Sequence, residues 1–197
     1  MLPALILAAG ESRRMGSPKA LLEAPGGGSF VGRIVRAFVE AGVLDVVIVT
    51  GAEHAAIAHA LEGDRLPVVP RLARNLDPGR GQLSSLWVGM DVAVGPETEG
   101  VLMTLVDVPL LRPATIRQVV DVWWNTRAPI VRPAIGERHG HPVLFDRALF
   151  DELRRAPLNL GAKAVVRAHE DEIVNVTVDD EGCLIDIDTQ EDYRRIK

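Results

Sequence analysis

Five consecutive apolar residues, Leu5-Ile6-Leu7-Ala8-Ala9, stop at Gly10 and give way to a polar, glycine-bounded loop that runs to Lys19. A strand with no polar face must be covered on both sides, so this run reads as an inner parallel strand with helices packed above and below it. The loop has phosphate-holding chemistry. Its small residues leave backbone N–H groups uncovered, Gly10 and Gly16 tolerate positive φ and close approach of a ligand, and Arg13, Arg14 and Lys19 supply positive charge. A nucleoside triphosphate fits that description; an ordinary basic loop after a first strand is the plainer account. Two familiar phosphate patterns fail. Gly10 and Gly16 are one residue too far apart for a Walker A loop, with Ser17 and Pro18 between Gly16 and the lysine, and the dinucleotide G-x-G-x-x-G is absent.

The rest of the chain alternates in the same way. After the breaker Pro25-Gly26-Gly27-Gly28, the residues Phe30, Val31, Ile34, Val35, Phe38 and Val39 recur at helical spacing, with Ser29 as N-cap and Ala41-Gly42 as the stop. Residues 46–50 read as a second buried strand, 52–61 as a small amphipathic helix and 66–69 as a short third strand, giving βαβαβ. A helix carrying Leu86, Trp87, Met90 and Val94 follows the loop at 75–80. Residues 101–106 are the most strand-like run and end in Asp107. Pro113 opens a helix on Ile116, Val119, Val120 and Trp123, a period that marks Trp123 as core. Strands are expected at 129–135 and 143–145, helices at 149–153 and 162–168, the second capped by Asn159, and a strand at 173–178. The expected fold is α/β, a Rossmann-like three-layer α/β/α sandwich with a mostly parallel sheet and an antiparallel excursion around residues 129–146, in one domain over 1–197. Ligands of such sheets lie beyond the carboxyl ends of the strands, so Gly10 and Asp107 should be neighbours.

A net charge of -5 argues against an extended basic face for nucleic acid, and no apolar run approaches the roughly 20 residues needed to cross a bilayer. The first strand has no basic residue before it, unlike a signal peptide, so the expected location is cytoplasmic. The single cysteine, Cys183, excludes an internal disulfide. Arg71, Arg74 and Arg80 read as solvated surface, and His139 with His141 lacks the thiolate or carboxylate company of a zinc site.

Together the letters L-A-A-G-x-S-x-R-M-G-x-x-K, at Leu7, Ala8, Ala9, Gly10, Ser12, Arg14, Met15, Gly16 and Lys19, resemble the opening signature of the MobA-like nucleotidyltransferases. Gly81, Ser85 and Leu86 fit the family's G-x-x-x-S-L, whose serine lies near the nucleotide. Gly136, Gly140, His141 and Pro142 fit G-x-x-G-H-P with one extra residue, an element that helps line the acceptor pocket in the cofactor-transferring branch. Asp186, Asp188, Thr189, Glu191 and Asp192 match D-x-D-T-P-E-D with Gln190 in place of proline. Where many relatives carry G-D-x-G-A-R this chain has Leu158-Asn159-Leu160-Gly161-Ala162-Lys163, so no catalytic role is carried there.

The resemblance is closest to the molybdenum cofactor cytidylyltransferases. It implies a fold of the nucleotide-diphospho-sugar transferase type and transfer of a nucleoside monophosphate to a phosphorylated acceptor, with release of pyrophosphate. Leu7, Ala8, Ala9, Gly10, Ser12 and Ser85 would bind nucleotide alongside Arg14, Lys19 and Asp107, the three expected to act in catalysis. Gly140, His141 and Pro142 would bind the acceptor, and Asp107 with Asp188 or Asp186 would bind Mg²⁺. The implied acceptor is a molybdopterin-type cofactor, with a molybdoenzyme or its chaperone as recipient. Ala8-Ala9-Gly10 favours CTP, with GTP as the alternative, because relatives with A-G-G tend toward guanine.

Local sequence suggests no acidic partner for Lys19 and leaves Asp107 alone at a buried strand end, where a cation would offset its cost. If residues 183–188 are extended, Asp186 and Asp188 share a face and Ile187 points to the core. Asp188 with Glu191 also resembles a capping box. Three other readings compete: a sugar- or polyol-phosphate nucleotidyltransferase, a non-catalytic nucleotide-binding regulator, and a nicotinamide-dependent oxidoreductase disfavoured by the missing glycine motif.

Overall fold

The first strand, β1 (Ala4–Ala8), is buried along its whole length, as is β2 (Val46–Thr50), and each packs apolar side chains to both sides. The computed structural model describes residues 1–12 and 14–197; Arg13, expected in the phosphate loop, lies outside the described residues. In chain order, β1 is followed by α1 (Phe30–Glu40), β2, α2 (His54–Gly63), β3 (Arg71–Arg74), α3 (Gln82–Ala93), β4 (Gly100–Leu105) and α4 (Pro113–Thr126). Then come β5 (Ile130–Ile135), β6 (Arg138–His139), β7 (Val143–Asp146), α5 (Phe150–Arg155), α6 (Lys163–Ala168), β8 (Ile173–Thr177) and α7 (Gln190–Ile196).

The sheet order is β3-β2-β1-β4-β7-β5-β6, with β8 paired to β5. β1 pairs in parallel with both β2 and β4, β3 with β2, and β8 with β5, whereas β7 runs antiparallel to β4 and to β5. The antiparallel excursion around 129–146 is thus present. Alternation along β1 feeds two cores. Ala4, Ile6 and Ala8 face α1, α2 and α4 through Ile34, Phe38, Ile57, Ile116 and Trp123. Leu5 and Leu7 face α3, α5 and α6 through Leu86, Met90, Leu153 and Val165. Three layers result, with Trp123 fully buried as its helical period demanded.

Ser29 caps α1 by accepting from Gly32 N at 3.0 Å, and the Asp64 carboxylate holds Ser29 in turn by accepting from its backbone N–H and its hydroxyl. Two expectations shift. The third strand lies at Arg71–Arg74 rather than 66–69, because an edge strand is defined by pairing with β2 and only Ala73 of its residues is buried. Asn159 does not cap α6, whose N-cap is Ala162 without a side-chain bond.

His169, just after α6, is clamped by Glu152 of α5 at 2.9 Å and by Glu172 at 2.8 Å. These hydrogen bonds, that of Glu152 first, hold its pKa above the ordinary value of 6.5. The stabilisation is therefore complete below about pH 6.5 and is lost as pH rises through the elevated folded value. His169→Gln should lower the melting temperature at roughly pH 5.5 and leave it nearly unchanged at roughly pH 9; equal losses at both would refute an ionic clamp.

Candidate active site

Three chain segments meet beyond the carboxyl ends of β1 and β4, each for a local reason. The loop after β1 turns on Ser12, whose carbonyl accepts from Met15 N at 2.9 Å and Gly16 N at 3.2 Å. Gly16 takes φ +73°, as its position requires, but the other left-handed residue is Ser12 at +50° and not Gly10. The Ser12 hydroxyl then accepts from Lys19 N at 3.1 Å and fixes the start of the short 3₁₀ turn Lys19–Leu21. From the far end of the sequence, Ile187 N donates to Asp107 O at 2.8 Å, which lays the 186–188 segment along the tip of β4. Ile187 is buried with Met15, Ala24 and Phe30 in a third apolar cluster against Tyr193 and Ile196 of α7. Gln190 Nε2 donates to Met15 O at 2.7 Å and Tyr193 OH to Glu23 O at 3.0 Å, so α7 clasps the phosphate loop from outside.

The result is a cleft of roughly 290 Å³. Its walls include Leu7, Ala9, Gly10, Ser12, Arg14, Lys19, Ser85, Asp107 and Asp188, so Gly10 and Asp107 are neighbours. Ala8 is the exception in the expected nucleotide set: it turns into the core and borders only the adjoining hollow beside Gly51. Pro78, Gly81, Gln82, Leu105 and Val106 complete the lining; of these only Gly81 carried a sequence signal of its own.

Lys19 is not the unpartnered lysine that local sequence suggested. Its Nζ donates to Asp107 Oδ2 at 2.9 Å and to Asp188 Oδ1 at 2.5 Å, and its side chain is only 10% exposed. Arg14 Nη2 donates to the other Asp188 oxygen at 2.8 Å. Desolvation pulls the lysine pKa down, but the hydrogen bonds it donates to Asp188 and Asp107, with their charges, outweigh it and leave the pKa raised. Asp188 is held below the usual carboxylate range, first by the Lys19 hydrogen bond, with Arg14 adding to it. Nor does Asp107 stand alone, although its Oδ1 is buried without a hydrogen-bond partner among the described residues. Asp186 is exposed and outside the cleft lining, yet desolvation and then the charges of Asp107 and Asp188 raise its pKa. Among the described residues no three His, Cys, Asp or Glu side chains converge as a ready-made metal cage. Two carboxylates, one with an orphaned buried oxygen, suit a cation whose other ligands are phosphate oxygens and water.

Asp188 does not cap the last helix either. Thr189 does, accepting from Asp192 N, while Asp192 reaches back to Thr189 N at 2.9 Å. Moving the box one residue on leaves the Asp188 carboxylate to Lys19 and Arg14. Thr189→Ala should cost about 1 kcal/mol of stability, read by denaturant melts; an unchanged midpoint would show that the box contributes nothing.

Gly140, His141 and Pro142 are not in the cleft lining. They sit beside it, where His141 N donates to Cys183 O at 2.9 Å and a Cβ on Gly140 would collide with the Cys183 backbone. The His141 Nδ1 lies 3.4 Å from Met103 O, and burial lowers its pKa from the ordinary 6.5. Arg71 is bound by Asp45 at 2.7 Å and Arg80 lies over Trp87, in keeping with a surface role for that cluster. No helix among the described residues is long and apolar enough to cross a membrane.

Residues 4–173 match the family model described as the MobA-like NTP transferase domain. The chain is 28% identical over 198 residues to a "Probable molybdenum cofactor guanylyltransferase" of Mycobacterium avium, covering 99% of this chain and 94% of that protein. The crystal structure of Rv0371c from Mycobacterium tuberculosis superposes with a TM-score of 0.79 at 30% identity, over 99% of this chain and 96% of that one. A manganese complex of the same protein gives 0.75 at 28% identity, with the same coverage of both chains. With the family match spanning most of the sequence and these relatives nearly all of it, the chain belongs to the MobA-like NTP transferase domain family and is a nucleotidyltransferase.

Proposed function

We propose that this enzyme transfers a nucleoside monophosphate from a nucleoside triphosphate to the phosphate of a molybdopterin-type acceptor. An acceptor phosphate oxygen attacks the α-phosphorus, the bond from that phosphorus to the bridging oxygen breaks, and pyrophosphate leaves with the electron pair. The observation that carries this reading is the Lys19 ammonium held between Asp107 and Asp188 at the mouth of the phosphate loop. Lys19 and Arg14 would receive negative charge from the triphosphate, and the backbone at Ala9 and Gly10, which line the cleft, would hold the nucleotide in line for attack. Asp107 and Asp188 would hold a divalent cation, Mg²⁺ in the simplest case, which when bound supplies charge neutralisation on phosphate oxygens. Asp186 would tune that pair electrostatically from outside the cleft. Gly140, His141 and Pro142 would border the acceptor.

The names of the relatives support GTP as the donor. A second reading, CTP, rests on one residue: Ala9 lines the cleft where the A-G-G pattern that tends toward guanine would place glycine, and a methyl group there discriminates by only about 1–3 kcal/mol. Pyrophosphate release with GTP and CTP in competition, each with molybdopterin as acceptor, tests both readings. Release with neither would overturn the acceptor assignment, and CTP preference would displace the GTP reading.

A further inference from the structure

Ser85 lines the same cleft, and the only hydrogen-bond partner of its hydroxyl among the described residues is Asn75. Asn75 follows β3 and is 5% exposed. Its orientation is determined by one contact: Asp77 N–H, which can only donate, meets Oδ1 at 3.0 Å, so the amide nitrogen must face the other way. There Nδ2 donates to Ser84 Oγ and to Ser85 Oγ, both at 3.0 Å. Ser84 passes its own proton to Gly81 O at 2.7 Å, which closes its bonding. Ser85 has no such acceptor among the described residues. With an amide donor on its oxygen and no acceptor among the described residues, its O–H is left to donate to a molecule in the cleft that Ser85 lines.

We infer that Asn75 is a positioning residue that sets the polarity of the Ser85 hydroxyl, making it a donor toward an acceptor atom on the neutral part of the nucleotide. Arg14, Lys19, Asp107 and Asp188 would take the phosphates, and Ser85, which lines the same cleft with Ala9, Gly81 and Gln82, would face the base and sugar. The same amide, through Asp77 N, also orders the 76–81 loop that contributes to this lining. The inference rests on the nucleotide reading above and adds to it a residue that touches no ligand.

An aspartate at this position inverts the arrangement. Its carboxylate still accepts from Asp77 N but also accepts where the amide donated, drawing the Ser85 proton inward and leaving only a lone pair toward the ligand. Dissociation constants of GTP and CTP, measured by calorimetry for wild type, Asn75→Asp, Asn75→Ala, Ser85→Ala and the two double variants, test this. Asn75→Asp should weaken the better-bound triphosphate by about tenfold, the size expected for one lost hydrogen bond at a desolvated site, and Asn75→Ala by somewhat less. Neither should weaken it further in the Ser85→Ala background. In steady state the loss should fall on KM more than on kcat. If one Asn75 variant fails to fold by its thermal melt, the other completes the cycle. Equal losses with and without the Ser85 hydroxyl would overturn the role of Asn75 while leaving the nucleotide reading intact. A wild type that binds neither triphosphate would overturn that reading itself.

Discussion

Asp107→Asn is expected to lower turnover by about 10²-fold or more and to remove its dependence on added divalent cation. The substitution keeps the shape of the side chain but replaces an anion with an amide. Asp107 Oδ2 accepts from Lys19, and its buried Oδ1 has no partner among the described residues; in an amide the oxygen must stay on Lys19, which can only donate, so the ion pair is lost and an NH2 group stands where Oδ1 would meet a cation. Asp188 still anchors Lys19, which keeps the fold. A magnesium titration of pyrophosphate release reads the effect; undiminished, magnesium-dependent activity in the Asp107→Asn enzyme would show that Asp107 holds no metal.

Lys19→Ala should be comparably damaging to turnover, for a different reason. Its removal leaves Asp107 and Asp188 facing each other without the cation between them, and a triphosphate entering the cleft then meets two carboxylates instead of an ammonium. A loss of about 10²-fold or more is expected. Stability should also fall, by about 1–3 kcal/mol, between the values for exposed and fully buried pairs, since the lysine is buried while its partners are partly exposed. Lys19→Arg should not restore activity, because a planar guanidinium cannot replace a compact ammonium between two carboxylates. Full activity in Lys19→Ala, checked on protein shown to be folded by its melt, would remove Lys19 from the mechanism.

Much of the architecture was legible because inner strands leave a strong local trace. Residues 46–50 and 101–106 have no polar face to show, and α1 and α4 carry their period in side chains that are almost all buried. The third strand was missed for the opposite reason: Arg71 and Arg74 are exposed on an edge, and only pairing to β2 makes them a strand. In the site, the loop residues and Asp107 were legible from chemistry at the ends of β1 and β4. The Lys19–Asp188 contact was not, since 169 residues separate the partners and no local pattern records it. Asn75 lay inside a stretch read simply as loop, and its importance comes from a buried geometry that letters do not carry.

The third apolar cluster also bears on the timing of synthesis. The sheet is complete once Thr177 has been made, and a nascent chain of that length already contains the second core, every buried member of the first except Val178 and Cys183, the phosphate loop and Lys19. It lacks Ile187, Asp188 and the α7 residues that clasp Met15 and Phe30. Since synthesis runs from the N-terminus, nearly everything that builds the scaffold is available while its charged centre is still missing one of two carboxylates. On the site reading proposed above, a chain folded only that far would be catalytically silent, and competence would arrive only when the segment around Asp188 closes over the loop that carries Lys19, 169 residues earlier.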